Sequence, residues 1–101
     1  MLHMFTEETK KLVAEVGDLN ARCGVPQEVY VTEEASEFIK EWMKISRHKG
    51  DQSLLLGEAM DMFTTLAVYF YRTGVTDEQV EAHMQSKIMR ALDRNHETGE
   101  I

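Results

Sequence analysis

Four carboxylates in this sequence fall into two pairs of equal spacing, Glu34 with Glu37 in TEEASEF and Glu58 with Asp61 in LLLGEAMDMF. Residues three apart are neighbours on one face of an α-helix, and like charges placed so weaken it by about 0.2–0.5 kcal/mol per pair. A cation held between the pairs would offset that repulsion. Four oxygen donors without His or Cys suit a hard divalent cation, Mg²⁺ first and Mn²⁺ as the alternative. Such a cation keeps part of its water and shares itself readily with phosphate oxygens. The competing reading is that these are solvated acids on amphipathic helices and hold nothing.

Other chemistries find less support. The histidines lie far apart at 3, 48, 83 and 96, and none follows a Glu at the spacing that di-iron bundles use. No His/Cys cluster suits zinc. The single cysteine, Cys23, has no evident base and is expected to be a small core residue. Glycine-rich phosphate loops and nucleophile elbows are absent.

These acids need elements to position them, and the apolar spacing is helical almost throughout. A first helix is expected over 6–23, capped by Thr6, striped by Leu12, Val13, Val16 and Leu19, and ended by Gly24 before Pro26. A second ends near residue 48. It starts either at Pro26 or, capped, at Thr32, and the stripe Val31, Ala35, Phe38, Ile39, Trp42 and Ile45 favours the longer form. Gly50 and Asp51 supply a turn and a cap.

The third helix, 52–73, is apolar nearly all round, which marks a central element. After Gly74, the sequence Thr76-Asp77-Glu78-Gln79 is a capping box for a fourth helix, striped by Val80, Met84, Ile88, Ala91 and Leu92. The tail 95–101 has no periodicity and is expected to fray. The expected fold is an all-α antiparallel four-helix bundle, one domain over 1–101. The third helix carries more apolar surface than one bundle can cover, with Met60, Met62 and Tyr71 pointing different ways. Completion by homo-oligomerisation, as a dimer or tetramer, is therefore expected.

The segments VTEEASEFIKEW and GEAMDMFTTLAVY resemble the MazG-like all-α nucleoside triphosphate pyrophosphohydrolases, which carry Glu-x-x-Glu and Glu-x-x-Asp on adjacent helices. Glu34 and Glu37 match the first pair, Glu58 and Asp61 the second, with residues 38–57 between them. The resemblance implies Mg²⁺-dependent hydrolysis of an NTP or dNTP at the α–β phosphoanhydride, giving a monophosphate and pyrophosphate. It also implies that Mg²⁺ bridges the phosphates and positions the attacking water. Glu34 is the first candidate to accept the water's proton, with Glu33 beside it as substitute.

The family tends to place basic residues on the following helix, where Lys87, Arg90 and Arg94 are available here to hold phosphates. The other reading makes them solvated cations near a helix C-terminus. It also commonly builds its sites between neighbouring chains. Of the aromatics, Trp42 is the candidate wall for a nucleobase, and Phe38 is expected in the core.

Charge and length bound the rest. Eighteen Asp and Glu against eleven Lys and Arg give −7, which opposes binding to a nucleic-acid polymer or an anionic membrane. No apolar run spans a bilayer, and the first residues lack a signal-peptide pattern, so a cytoplasmic protein is expected. The non-enzymatic alternative is an acidic helical interaction module whose methionine-rich face binds a partner helix.

Overall fold

The computed structural model describes residues 5–98, and they form four helices with no strand among them. These are α1 (Glu7–Arg22), α2 (Gln27–Ser46), α3 (Gln52–Thr73) and α4 (Asp77–Thr98). Each start has a local chemical cause. The Thr6 hydroxyl accepts from the Thr9 amide at 3.2 Å. Asp51 Oδ1 accepts from the Ser53 and Leu54 amides at 2.8 and 3.4 Å. At α4 the Thr76 hydroxyl accepts from the Gln79 amide at 3.2 Å while Gln79 Oε1 accepts from the Thr76 amide at 2.8 Å, a reciprocal capping box. Pro26 is the N-cap of α2, so the longer second helix forms, and Thr32 lies inside it with its hydroxyl donating to the Glu28 carbonyl.

The first three helices end on one motif, a left-handed residue that lets the last carbonyls be satisfied. Gly24 and Gly74 fill that position after α1 and α3. After α2 the left-handed residue is His48 (φ 58°), with its amide donating to the Ile45 carbonyl and the Lys49 amide to that of Lys44. Gly50 therefore does not supply the left-handed turn; it lies where a Cβ would sit 2.7 Å from the Ile45 nitrogen. His48→Gly should stabilise the fold by about 0.5–1 kcal/mol, because a side chain in this conformation is strained. Urea unfolding reads this as a higher midpoint at unchanged slope.

Contacts along the hairpin fix how α2 and α3 run. The Asp51 amide meets Glu41, Gln27 Nε2 donates to the Thr65 carbonyl at 3.2 Å, and Arg72 Nη1 donates to the Val25 carbonyl at 2.7 Å. Ascending positions on α3 thus meet descending positions on α2, so the two are antiparallel. Just before α1, Phe5 meets Phe63 edge-on with ring centroids 6.0 Å apart, and on α1 Asp18 accepts from the Tyr71 hydroxyl at 2.9 Å. That ascending order makes α1 parallel to α3. Gly17 permits the approach, since a Cβ there would lie 2.6 Å from the Tyr71 ring.

α3 is central, as its apolar circumference predicts: both α1 and α2 pack on it. The buried core is small, with Val13, Ala67 and Val68 at its heart and Phe5 against it. α4 shares no extended face with the other helices. Of its expected stripe only Val80 is buried, while Met84, Ile88 and Leu92 are exposed. Leu12, Val16 and Leu19 of the first stripe are exposed as well. The radius of gyration is 16.3 Å, against about 13 Å for a compact chain of this length.

Three finer expectations change. α4 continues through Thr98, so 95–98 are helical rather than frayed, and the rest of the expected tail lies outside the described residues. Cys23 is exposed rather than in the core, because it occupies the C-cap of α1. Phe38 is half-buried, leaning on Trp42 with ring centroids 5.7 Å apart.

Candidate metal centre

The antiparallel hairpin brings the two acidic pairs to its middle. Glu34 and Glu37 sit one turn apart on α2, Glu58 faces them from α3, and one carboxylate oxygen from each lies within 4.8 Å of the other two. Asp61 is outside that trio, yet its charge acts on both Glu34 and Glu58. Three of the four sequence-expected ligands are therefore drawn together, with the fourth one turn further along α3.

The electrostatics of this cluster are unfavourable without a counter-charge. Partial burial, then the charges of Asp61, Glu37, Glu58 and Glu33, raise the Glu34 carboxyl above its ordinary 4.5. Partial burial raises Glu58 too, followed by the charges of Glu37, Asp61 and Glu41 and the closeness of the Glu37 carboxylate, with which it can share a proton. One oxygen of Glu58, Oε2, is shielded from solvent and meets no hydrogen-bond donor. A shielded carboxylate oxygen without a donor is costly. Together with an oxygen-only donor set, it fits a hard divalent cation.

The remaining expected residues lie further out. Glu33 is exposed on α2 beside Glu34. Trp42 is 55% exposed, so its ring is open to a ligand on the outer side of α2. Lys87, Arg90 and Arg94 are exposed on α4, which does not pack along α2 or α3.

Two buried polar residues escape the sequence analysis. Glu41 is 7% exposed; its Oε1 accepts from the Asp51 amide at 3.4 Å, and its Oε2 lies 3.9 Å from Lys44 Nζ. The spacing Glu34, Glu37, Glu41 is a three-then-four helical stripe, and that signal could have found it. Gln27 is 3% exposed, accepting from Asn20 Nδ2 at 3.0 Å and Arg72 Nη1 at 3.3 Å. It pins the α1–α2 turn to α3 at the far end of the hairpin. No pattern in the sequence separates it from a surface glutamine.

Comparison of the chain with protein-family models, with curated proteins and with solved structures finds no match. Among the described residues, no helix is long and apolar enough to cross a membrane.

Proposed function

We propose that this chain is a Mg²⁺-dependent nucleoside triphosphate pyrophosphohydrolase, working as a homo-oligomer in the cytoplasm. The observation that carries this reading is the approach of Glu34, Glu37 and Glu58 to within 4.8 Å, with a shielded Glu58 oxygen that lacks a donor. The MazG-like resemblance of the two acidic pairs supports the choice of substrate. Glu37 and Glu58 would hold Mg²⁺ or Mn²⁺ together with Asp61, Glu34 taking part. The bound cation supplies charge neutralisation to the phosphates.

The chain's own residues account for the proton. Glu34 is half-buried and its pKa is raised, which makes it a better base than an ordinary carboxylate. It accepts the proton of a water attacking the α-phosphorus, with Glu33 next to it as the substitute. The new P–O bond forms there, the bond to the α–β bridging oxygen breaks, and pyrophosphate leaves with the electron pair. Trp42 offers an exposed ring for the base, and Lys87, Arg90 and Arg94 hold phosphates.

A second reading, a non-enzymatic helical interaction module, rests on the exposed apolar stripe of α4. Pyrophosphate release from a panel of NTPs and dNTPs, with Mg²⁺ and with EDTA, separates the two. Release with Mg²⁺ alone supports the hydrolase; no release from any nucleotide leaves the interaction module.

A further inference from the structure

We propose that Glu41, which lies outside the two acidic pairs, is a positioning residue of the candidate metal centre: its buried charge strengthens the hold of Glu37 and Glu58 on a divalent cation without touching the ion. This role rests on the cation-binding part of the reading above and is independent of which nucleotide is hydrolysed.

Glu41 is placed by the same periodicity that places the acids. It follows Glu34 by seven residues, two helical turns, and so faces α3 from the same side of α2. It is the only buried Asp or Glu among the described residues. Glu41 stands outside the trio that comes within 4.8 Å, and its Oε1 is turned to the Asp51 amide in the α2–α3 turn. That leaves it beside the cluster rather than in it. Its charge nonetheless reaches the cluster, acting on Glu58 together with the charges of Glu37 and Asp61.

What Glu41 meets locally does not balance its charge. A buried carboxylate needs a close counter-charge or short hydrogen bonds. The Asp51 amide is 3.4 Å away, beyond the roughly 2.7–3.2 Å usual for such a bond. Lys44 Nζ is 3.9 Å away on a side chain that is 59% exposed, and a lysine held that loosely in water contributes little. Glu37 and Glu58 add charge of the same sign, and Glu58 Oε2 has no donor. The uncompensated charge and the orphan oxygen therefore call for the same thing, a cation bound at Glu37 and Glu58. Oxygen-donor sites set their affinity partly by the number of carboxylate charges around the ion. Groups behind the ligands change it by about 10–100-fold. A purely structural Glu41, latching the turn at Asp51, would need only an oxygen acceptor. Glutamine has the same shape and the same acceptor, so it separates the charge from the latch.

Mn²⁺ alone, added to the protein without nucleotide, is the probe, with the free ion read by electron paramagnetic resonance. The parent chain is expected to bind it, Glu41→Gln to bind it about tenfold more weakly, and the exposed Glu15→Gln to match the parent. In EDTA, Glu41→Gln should melt no lower than the parent, because the latch remains and a buried charge is gone. Lys44→Gln removes the ammonium that competes for Glu41 and should tighten binding about twofold. If Glu41→Gln does not fold, Lys44→Gln decides alone, and binding no tighter than the parent's overturns the proposal. Parent affinity in a folded Glu41→Gln protein also overturns it, whatever the melting point, and leaves the cation reading standing. A parent chain that binds no Mn²⁺ overturns the cation reading and the role of Glu41 together.

Discussion

Replacing Glu58 with Gln is expected to reduce Mg²⁺-dependent pyrophosphate release by about 100-fold or more, the scale of losing a metal-binding oxygen. The same substitution should make the metal-free protein more stable. Glu58 lies against Glu37, within the fields of Asp61 and Glu41, and its shielded Oε2 has no donor. A glutamine of the same shape removes the charge and can donate to Glu37. Lower activity with higher thermal stability separates a site residue from a structural one, because a structural residue loses both together. Glu15→Gln, an exposed change on α1, should leave both unchanged. A Glu58→Gln protein that hydrolyses nucleotide at the parent rate would remove Glu58 from the site.

The dependence of stability on pH should reverse when Mg²⁺ is added. Glu34 and Glu58 have folded pKa values raised above 4.5, so between 4.5 and those raised values the folded state binds more protons than the unfolded state. Without metal, these two groups favour the fold fully below about pH 4.5 and lose that contribution as pH rises through their folded pKa values. Asp51 acts in the opposite sense. Its hydrogen bonds from Ser53 and Leu54 hold its pKa below 3.8, so its contribution is present above 3.8 and lost as pH falls further. The metal-free contribution of these three groups is therefore greatest between about pH 3.8 and 4.5.

Mg²⁺ binds the ionised carboxylates, and at a hundredfold excess over its dissociation constant it adds about 2.7 kcal/mol. That addition should grow with pH until the cluster is fully ionised. Thermal unfolding from pH 4 to 8, in EDTA and in millimolar Mg²⁺, checks this. Two curves that run parallel would mean that the acids do not share a cation.

The helix ends are legible in the sequence because their causes are local. Thr6, Asp51 and the Thr76–Gln79 box need only neighbours within three residues, and Gly24 and Gly74 mark their own left-handed positions. His48 is not legible in this way: Gly50, two residues on, carries the stronger turn signal but serves a close approach to Ile45. The convergence of Glu34, Glu37 and Glu58 is legible because the two acidic pairs lie at similar distances from the 47–51 turn and border the apolar faces of their helices. Asp61 falls outside the trio and is exposed, which its spacing from Glu58 alone does not foretell. The stripes on α1 and α4 show which residues are apolar, not what covers them. Periodicity reports a face, and its partner can belong to another chain.

The most direct measurement is the phosphorus NMR spectrum of an NTP incubated with the protein and Mg²⁺, beside parallel samples in EDTA and with Glu58→Gln. Nucleoside monophosphate and pyrophosphate are expected in equal amounts from the parent protein with Mg²⁺, with neither product above background in the other two samples. An unchanged triphosphate, a diphosphate with inorganic phosphate, or the same products in EDTA would contradict hydrolysis at the α–β bond by a cation held between Glu34, Glu37 and Glu58.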